Sequence, residues 1–311
     1  MATGETEIPV KVMNKKSWLT AEQRKTLSGF VAGSIAACGA VTFTNPFEVV
    51  KTRLQLQGEL AKAATDAAGK PMPRAYKNVF QAFWVISQNE GIRALQKGLG
   101  AGYIYQVFLN GTRIGCYGPI KTSLNEAAGK RESMPLNVVA GLICGMLGAA
   151  AGSPFYLVKT RMQSYSTFAA VGHQHYYPTF MHGLASVYRE HGFKGLYRGM
   201  DAAMARAGTG SAVQFASYDK CKELIMNNFG GDFGPANFRT HLLASMVTGF
   251  LVCTAMNPFD VISTRMYNQK MSKGKGGALY RNPLECLVRT VSTEGVSSLY
   301  KGFFAHYLRI G

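Results

Sequence analysis

The sequence predicts an all-α membrane protein made of three tandem repeats, each with two transmembrane helices and one short surface helix. The first observation is a ten-residue pattern that begins Pro-Phe and occurs three times at nearly equal intervals, starting at Pro46, Pro154 and Pro258. A second pattern, a pair of glycines seven residues apart, follows each copy and ends at Gly98, Gly199 and Gly302. Two patterns repeated in a fixed order indicate a triplicated chain.

Charge-free stretches supply the third observation. Residues 27–47, 133–158 and 242–259 contain no Asp, Glu, Lys or Arg, and about 20 apolar residues suffice to cross a bilayer. Small residues stand four apart inside them, as at Gly29 and Gly33, which lets helices approach closely in lipid. The alternative is a buried helix in a large soluble core, which fits poorly with a chain that is 47% hydrophobic and only 16% charged.

The net charge of +17 raises the question of nucleic acid binding. The basic residues lie at helix ends and in loops rather than on one tail or one helix with interleaved aromatics. A membrane protein that meets acidic lipid head groups and an anionic solute explains this distribution better, so we expect no nucleic acid partner. The six cysteines stand singly, which is typical of small buried side chains rather than of disulfides or a zinc site.

The elements follow the same order in each repeat. A long odd-numbered helix carries an internal proline, whose kink a membrane bundle tolerates because neighbouring groups satisfy the freed carbonyl. A short stretch follows, such as Asn78 to Asn89, with Val79, Ala82, Phe83 and Ile86 on one face. It is too short and polar to span, and we expect it to lie along the membrane surface. A weaker even-numbered helix completes the repeat. The predicted helices cover residues 24–57, 78–89, 99–128, 134–166, 179–190, 200–228, 237–270 and 282–293, and the last begins near residue 303.

These boundaries divide the chain into an N-terminal tail at 1–23 and repeats at 24–128, 129–229 and 230–311. Tandem copies in one orientation need an even number of crossings, which two helices per repeat supply, and the copies are then related by a pseudo-threefold axis along the membrane normal. We expect most of the sixth transmembrane helix to lie beyond Gly311, so that the sequence is either a fragment or a naturally truncated form.

The proline pattern resembles the signature of the mitochondrial carrier family. That signature is a proline followed by an acid, two bases and a glutamine at fixed spacings, and the first copy matches it throughout with Pro46, Glu48, Lys51, Arg53 and Gln55. The resemblance extends over about residues 24–311. It implies a monomeric, multi-pass protein of the mitochondrial inner membrane that moves small solutes by alternating access and is not an enzyme.

Finer similarity points to one branch of this family. The stretches 95–99, 103–106, 109–113, 158–166, 200–203 and 267–270 resemble members that carry oxaloacetate, sulfate, malonate and isopropylmalate. This implies exchange or proton symport of small dicarboxylate and inorganic anions. The alternatives are another carboxylate carrier of the family, an uncoupling-like member that leaks protons, and a truncated form that does not transport.

The resemblance also implies a gate on the matrix side. In the family the acid of one odd helix pairs with the first base of the next, which gives Glu48 with Lys159 and Asp260 with Lys51. The third pair is replaced here by Tyr156 and Ser263. Gln55 and Gln163 are expected to brace the two remaining pairs. The alternative is that these charges only reach toward the membrane surface.

On the cytoplasmic side the family pattern is weaker in this chain. Helix four carries Asp219 and Lys222 in the expected arrangement, whereas helix two has Lys121 but no acid. The resemblance therefore implies a single pair, Lys121 with Asp219. This gate is expected to be weak or incomplete.

Arginines inside the even helices are the strongest functional signal. A charge at the bilayer centre costs about 2.5–3.5 kcal/mol even on permissive scales, so such a residue normally lines a cavity. Arg206 and Arg309 match substrate-contact positions of the family and are expected to hold the two ends of a dianion, with Tyr105 and Gln106 adding polar selectivity. Arg113 is expected to act nearer the mouth of the cavity. A structural role is the alternative for each arginine.

The glycines that begin the even helices, Gly98, Gly199 and Gly302, suggest lipid binding. Backbone donors at a helix start suit phosphate, and the family binds cardiolipin there, although an ordinary turn would also place glycine at these positions. His173 and His175 are interpreted as solvated loop residues rather than metal ligands. We therefore expect no cofactor or metal beyond bound cardiolipin.

Overall fold

The computed structural model describes residues 21–59, 75–129, 133–169, 171–229, 237–270 and 279–310. The predicted N-terminal tail lies almost wholly outside these residues. The helices are α1 (Ala21–Leu56), α2 (Val79–Glu90), α3 (Leu99–Ala127), α4 (Met134–Ser164), α5 (Phe180–Leu196), α6 (Met200–Phe229), α7 (Phe238–Asn268), α8 (Pro283–Glu294) and α9 (Phe303–Ile310). Within the described residues the structure contains no strand, so the predicted all-α class is confirmed.

The long helices α1, α4 and α7 are the apolar spans of the bundle. Each contains its proline inside the helix, and each is long and apolar enough to cross a membrane, over Leu27–Leu56, Met134–Ser164 and Phe238–Asn268. The second and fourth transmembrane helices, α3 and α6, are less apolar, as the sequence predicts. Their polar content is consistent with helices that line an interior cavity.

Helix contacts arrange the bundle as a ring. Helix α3 packs between α1 and α4, α6 packs between α4 and α7, and α9 packs between α7 and α1. The proline-containing helices α1, α4 and α7 also contact one another, and ion pairs join their C-terminal halves. We call this end of the bundle, where the proline patterns and surface helices lie, the matrix end.

Close helix contact depends on small residues. A Cβ on Gly152 of α4 would lie 2.7 Å from the ring of Tyr105 on α3, and one on Gly148 would lie 3.0 Å from the backbone oxygen of Leu109. Neither position can accept a larger side chain without a shift of the neighbouring helix. Contacts of this kind replace the hydrophobic driving force that helices lack in lipid.

The surface helices begin at side-chain caps, and α2 and α8 end at glycines. Asn78, Thr179 and Asn282 each accept a hydrogen bond from the backbone of the first turn. Helix α2 then buries Val79, Ala82 and Ile86, the same face that the sequence predicts.

Helix α5 ends later than predicted, at Leu196 rather than near residue 190. Gly192 interrupts it with a φ of 65°, where Gly91 and Gly295 end α2 and α8 with φ of 80° and 82°. The turn that follows is a 3₁₀ helix in the other repeats, over Ile92–Gln96 and Val296–Tyr300. In the second repeat this turn is continuous with α5, so the difference lies in one turn of helix and not in the path of the chain.

Candidate functional site

Two buried ion pairs join the odd helices at the matrix end. Lys51 of α1 lies 2.6 Å from Asp260 of α7, and Lys159 of α4 contacts Glu48 of α1. All four side chains are at most 5% exposed. Buried charges of this kind persist only when they are paired, and here each pair fastens two different repeats.

The two glutamines of the proline patterns support these pairs unequally. Gln55 donates from Nε2 to Asp260 Oδ2 at 2.7 Å and accepts from Thr264 at 2.9 Å. Gln163 accepts from Thr52 at 3.3 Å and donates to Asn45 at 3.1 Å. Gln55 therefore bonds directly to a gate carboxylate, whereas Gln163 fastens α4 to neutral groups of α1.

An aromatic cluster takes the place of the third ion pair. The ring of Tyr156 lies 5.1 Å from that of Tyr105 and 5.3 Å from that of Tyr267. Tyr267 also hydrogen-bonds Ser153 at 3.0 Å, and Ser263 donates to the backbone oxygen of Asp260. The third contact between repeats is thus made by tilted and edge-to-face aromatic rings rather than by charges. The sequence showed the loss of the charges but not the cluster.

Two arginines, Arg206 of α6 and Arg309 of α9, lie at this end of the bundle. The guanidinium of Arg206 lies 5.4 Å from the centre of the Tyr156 ring, and its Nε lies 3.8 Å from Asp260 Oδ1. Arg309 Nη2 lies 2.6 Å from Glu48 Oε1. A narrow pocket at this end is lined by Glu48, Tyr156, Lys159 and Arg309; Arg206 does not line it but lies over the ring of Tyr156. Each arginine therefore faces a gate carboxylate.

Arg206 and Arg309 differ in whether their guanidinium groups have bonding partners. Arg206 is only 9% exposed, and its Nε has no hydrogen-bond partner among the described residues. Arg309 already forms an ion pair with Glu48. Because an unsatisfied buried guanidinium donor is costly, Arg206 presents the stronger attraction for an anion that reaches the pocket.

The remaining predicted contact residues lie on α3 in different surroundings. Tyr105 is 5% exposed and packs within the aromatic cluster. Gln106 is half-buried, and Arg113 is exposed. The structure thus places Tyr105 beside the pocket and Arg113 two turns away from it. Their roles toward a substrate stay predictions.

The residues predicted for the cytoplasmic gate lie at the opposite end of the bundle. Lys121 lies on α3 and Lys222 on α6, both half-buried, and Asp219 lies on α6 with its side chain exposed. The pairing of Lys121 with Asp219 stays a prediction.

Two further groups of charged residues lie at the matrix end and were not predicted from the sequence. Arg53 donates to both oxygens of Glu90, at 2.6 and 3.0 Å, and Lys97 lies 2.7 Å from the same carboxylate. Arg265 contacts Glu294 at 2.7 and 2.9 Å in the same way, with Lys301 beside it. The repeat pattern could have revealed these triads, because each glutamate directly precedes an aligned glycine.

The triads tie the surface helices to the bundle. Burial alone would raise the pKa of Glu90, but hydrogen bonds from Arg53, Lys97 and Ser166 lower it to about 2. For Glu294 too, burial alone would raise the pKa, but hydrogen bonds from Arg265 and Lys301 lower it. Both carboxylates are therefore ionised at any physiological pH and hold their triads in place.

The helix-initiating glycines pack against the next repeat. All three have positive φ, and a Cβ on Gly98 would lie 3.1 Å from the backbone oxygen of Lys159. Gly199 and Gly302 approach Met266 and Gln55 in the same manner. The conformation and the close approach both require glycine here, and the predicted binding of lipid phosphate is a separate role that stays a prediction.

The described residues offer no group of three or more His, Cys, Asp or Glu side chains that could hold a metal ion. The six cysteines are free thiols in this structure. His173 and His175, predicted to be solvated, stack on each other with ring centres 4.5 Å apart. His175 also hydrogen-bonds the backbone oxygen of Asn268 at 3.0 Å, so these histidines are partly built into the matrix end.

The fold and the site define a multi-pass membrane carrier whose three homologous repeats form a ring of helices. The family model described as mitochondrial carrier protein matches residues 22–128, 130–229 and 234–311. The chain therefore belongs to the mitochondrial carrier family, and it is a mitochondrial membrane protein.

Named relatives are similar over nearly the whole chain. The mitochondrial oxaloacetate transport protein of Saccharomyces cerevisiae is 48% identical, over 94% of this chain and 87% of the relative. The mitochondrial citrate transporter E of Aspergillus niger is also 48% identical, over 92% of this chain and 88% of the relative. The mitochondrial oxaloacetate transport protein of Schizosaccharomyces pombe is 47% identical, over 91% of this chain and 85% of the relative.

Proposed function

We propose that this protein transports small dicarboxylate and inorganic anions of the oxaloacetate and sulfate class across the mitochondrial inner membrane. The observation that carries this proposal is the pair of arginines above the closed matrix gate, Arg206 and Arg309. Two guanidinium groups suit an anion with two charged ends, because each can bind a carboxylate or sulfate by paired hydrogen bonds. The two fungal relatives named as oxaloacetate transport proteins agree with this class of substrate.

The gate geometry suggests how binding and opening are coupled. In the closed form Arg309 is held by Glu48 and Arg206 lies near Asp260. An incoming dianion competes for both arginines and so removes favourable contacts from the gate carboxylates. The substrate then lowers the stability of the closed form relative to the open one, as a ligand with different affinity for two states must.

The matrix gate in this proposal consists of Glu48, Lys159, Lys51 and Asp260, and the cytoplasmic gate includes Lys121, Asp219 and Lys222. One chain suffices, because the three repeats enclose the site, and we propose that the protein acts as a monomer. Cardiolipin is the proposed bound lipid, held through phosphate where the helices begin after Gly98, Gly199 and Gly302. Exchange and proton symport are both compatible with this site.

Reconstitution into liposomes tests the proposal. We expect uptake of labelled oxaloacetate and labelled sulfate, each inhibited by the other and by malonate and isopropylmalate. Citrate is the informative competitor, since one similar relative is named a citrate transporter. Proton leak without anion uptake would overturn the proposal in favour of an uncoupling-like activity, and uptake of cationic solutes alone would exclude the arginine site.

A further inference from the structure

The second repeat breaks the pattern of charged triads at the matrix end. In the first repeat, Glu90 lies between Arg53 of α1 and Lys97, which precedes α3. In the third repeat, Glu294 lies between Arg265 of α7 and Lys301, which precedes α9. In the second repeat, His191 occupies the position directly before the aligned glycine. The two flanking bases are retained as Arg161 and Arg198. This repeat therefore has two cations and no glutamate between them.

Arg161 keeps two contacts of the arginine in the first repeat, but it lacks the bond from Nη2 to a backbone oxygen that Arg53 forms with Tyr165. Its Nε donates to the backbone oxygen of Tyr267 at 3.0 Å, and its Nη1 donates to the Tyr177 hydroxyl at 3.0 Å, much as Arg53 bonds Tyr76. Its Nη2 has no hydrogen-bond partner among the described residues. The side chain is only 2% exposed. A buried cationic donor thus lacks the oxygen acceptor that its counterparts have in Glu90 and Glu294.

Arg198 presents a second donor to the same region. Its Nη2 donates to the backbone oxygen of Tyr280 at 2.9 Å, whereas its buried Nε has no partner within the described chain. Burial and the nearby charge of Arg161 lower the pKa of the Arg198 guanidinium. The two arginines occupy the positions from which Arg53 and Lys97 hold Glu90 in the first repeat, and no carboxylate of the described residues forms an ion pair with either.

The side chains around these arginines supply no negative charge that would neutralise them. Burial, Lys270 and Arg161 lower the pKa of His173, and burial and Arg161 lower that of His175 to about 3. Both imidazoles are therefore neutral at matrix pH. The acid that precedes His191 is Glu190, whose side chain is 59% exposed and lies 3.6 Å from His191. Glu190 also accepts from Ser186, so it is engaged at the surface.

The geometry points to a second anion site at the matrix end, in which Arg161 Nη2 and Arg198 Nε bind a small oxyanion such as inorganic phosphate from the matrix solution. Guanidinium groups bind phosphate and carboxylate through short, charge-assisted hydrogen bonds. Because Arg161 already bonds Tyr267 of α7 and Arg198 bonds Tyr280, the anion completes the contact between the second and third repeats. Glu90 and Glu294 complete the other two contacts permanently. The bound anion therefore stabilises the matrix-closed form and slows its opening.

Thermal unfolding of the purified protein in detergent tests this inference, with potassium phosphate compared with potassium chloride at equal ionic strength. At a phosphate concentration of about five times Kd, we expect the Tm to rise by roughly 2–3 °C. Arg198→Gln should abolish most of this rise. Arg161→Gln is less suitable, because removing a fully buried guanidinium can prevent folding.

The matched variant is His191→Glu, which restores the carboxylate found in the other repeats. We expect this variant to have a higher Tm than the natural chain in chloride and to show no further rise in phosphate. An undiminished phosphate shift in both His191→Glu and Arg198→Gln would overturn the inference and place the anion elsewhere, for example at Arg206 and Arg309.

The same assay distinguishes binding of a lipid phosphate group from binding of inorganic phosphate. A rise in Tm with cardiolipin that requires Arg198, together with no rise in inorganic phosphate, would show a lipid head group at these arginines and overturn a site for a soluble anion. The measurement does not depend on transport. A negative result therefore leaves the proposed transport function untouched, and a failure of transport leaves this site untouched.

Discussion

Arg309 Nη2 lies 2.6 Å from Glu48 Oε1, so a residue proposed to bind substrate is held in the closed form by a residue of the matrix gate. Glu48 also contacts Lys159, and its carboxylate thus serves two cations. Asp260 has Lys51 at 2.6 Å and Arg206 only at 3.8 Å. The two gate carboxylates therefore respond differently to the loss of their lysines.

Lysine removal should reveal this asymmetry. Lys51→Gln leaves Asp260 with a hydrogen bond from Gln55 and a distant arginine, and breaking a buried pair of this kind costs about 3–5 kcal/mol. Lys159→Gln leaves Glu48 paired with Arg309 and should cost roughly half as much. Thermal unfolding in detergent should give the lower Tm for Lys51→Gln. The reverse order would show that Arg309 does not stabilise Glu48.

The two bracing glutamines provide a second comparison. Gln55 donates to the charged Asp260, whereas Gln163 bonds only neutral partners. Hydrogen bonds to charged groups contribute about 1.5–3 kcal/mol, against about 0.5–1.5 kcal/mol for neutral ones. Gln55→Ala should therefore lower the Tm more than Gln163→Ala. Equal losses would mean that the charge of Asp260 is fully satisfied by Lys51 alone.

Restoring the third ion pair should stiffen the gate. Tyr156→Glu with Ser263→Lys places an acid and a base at the positions where the other repeats have them. We expect the double variant to be more stable than either single variant and to exchange anions more slowly. A double-mutant cycle on Tm measures the coupling. An absent coupling would show that the aromatic cluster leaves no room for this pair.

Glycine contacts between α3 and α4 predict a position-specific effect. Gly152→Ala places a methyl group 2.7 Å from the ring of Tyr105, whereas Gly145→Ala meets only Ser211 Oγ at 3.5 Å. The first substitution should destabilise by about 1–3 kcal/mol through overpacking, and the second should be tolerated. Comparable Tm values for both variants would contradict the close approach of α3 at Gly152.

The Glu90 triad predicts a pH dependence with a defined sign. Since the pKa of Glu90 falls from 4.5 to about 2 on folding, its contribution to stability is complete above the unfolded value and is lost as pH falls through the folded value. The Tm difference between the natural chain and Glu90→Gln should be constant above about pH 5 and shrink between about pH 4 and pH 2. Glu126→Gln, at an exposed position, is the control and should show no such change. A difference that grows in acid would contradict the triad.

Much of the fold could be predicted because repetition and hydropathy act over long stretches. The kinked odd helices and the face of α2 formed by Val79, Ala82 and Ile86 were predicted from periodicity, and the structure ends most helices within a few residues of the predicted limits. The pairing of gate residues followed from the family resemblance rather than from spacing, because no local pattern shows which helices meet.

The contacts that were missed depend on three-dimensional neighbours. The aromatic cluster unites Tyr105, Tyr156 and Tyr267 from three helices, and nothing in their sequence positions indicates that their rings touch. The contact between Arg309 and Glu48 joins α9 to α1 in the same way. The substitution of His191 for glutamate was visible in the aligned repeats, but its meaning required the unpartnered Nη2 of Arg161.

The most direct test of the central claim is the initial rate of labelled oxaloacetate uptake into liposomes by Arg206→Ala. Arg289→Ala is the matched control, because Arg289 lies on α8, is 56% exposed and pairs only with Glu285 and a backbone oxygen. We predict that Arg206→Ala abolishes uptake at unchanged protein abundance while Arg289→Ala transports normally. Normal uptake by Arg206→Ala would contradict the proposed anion site.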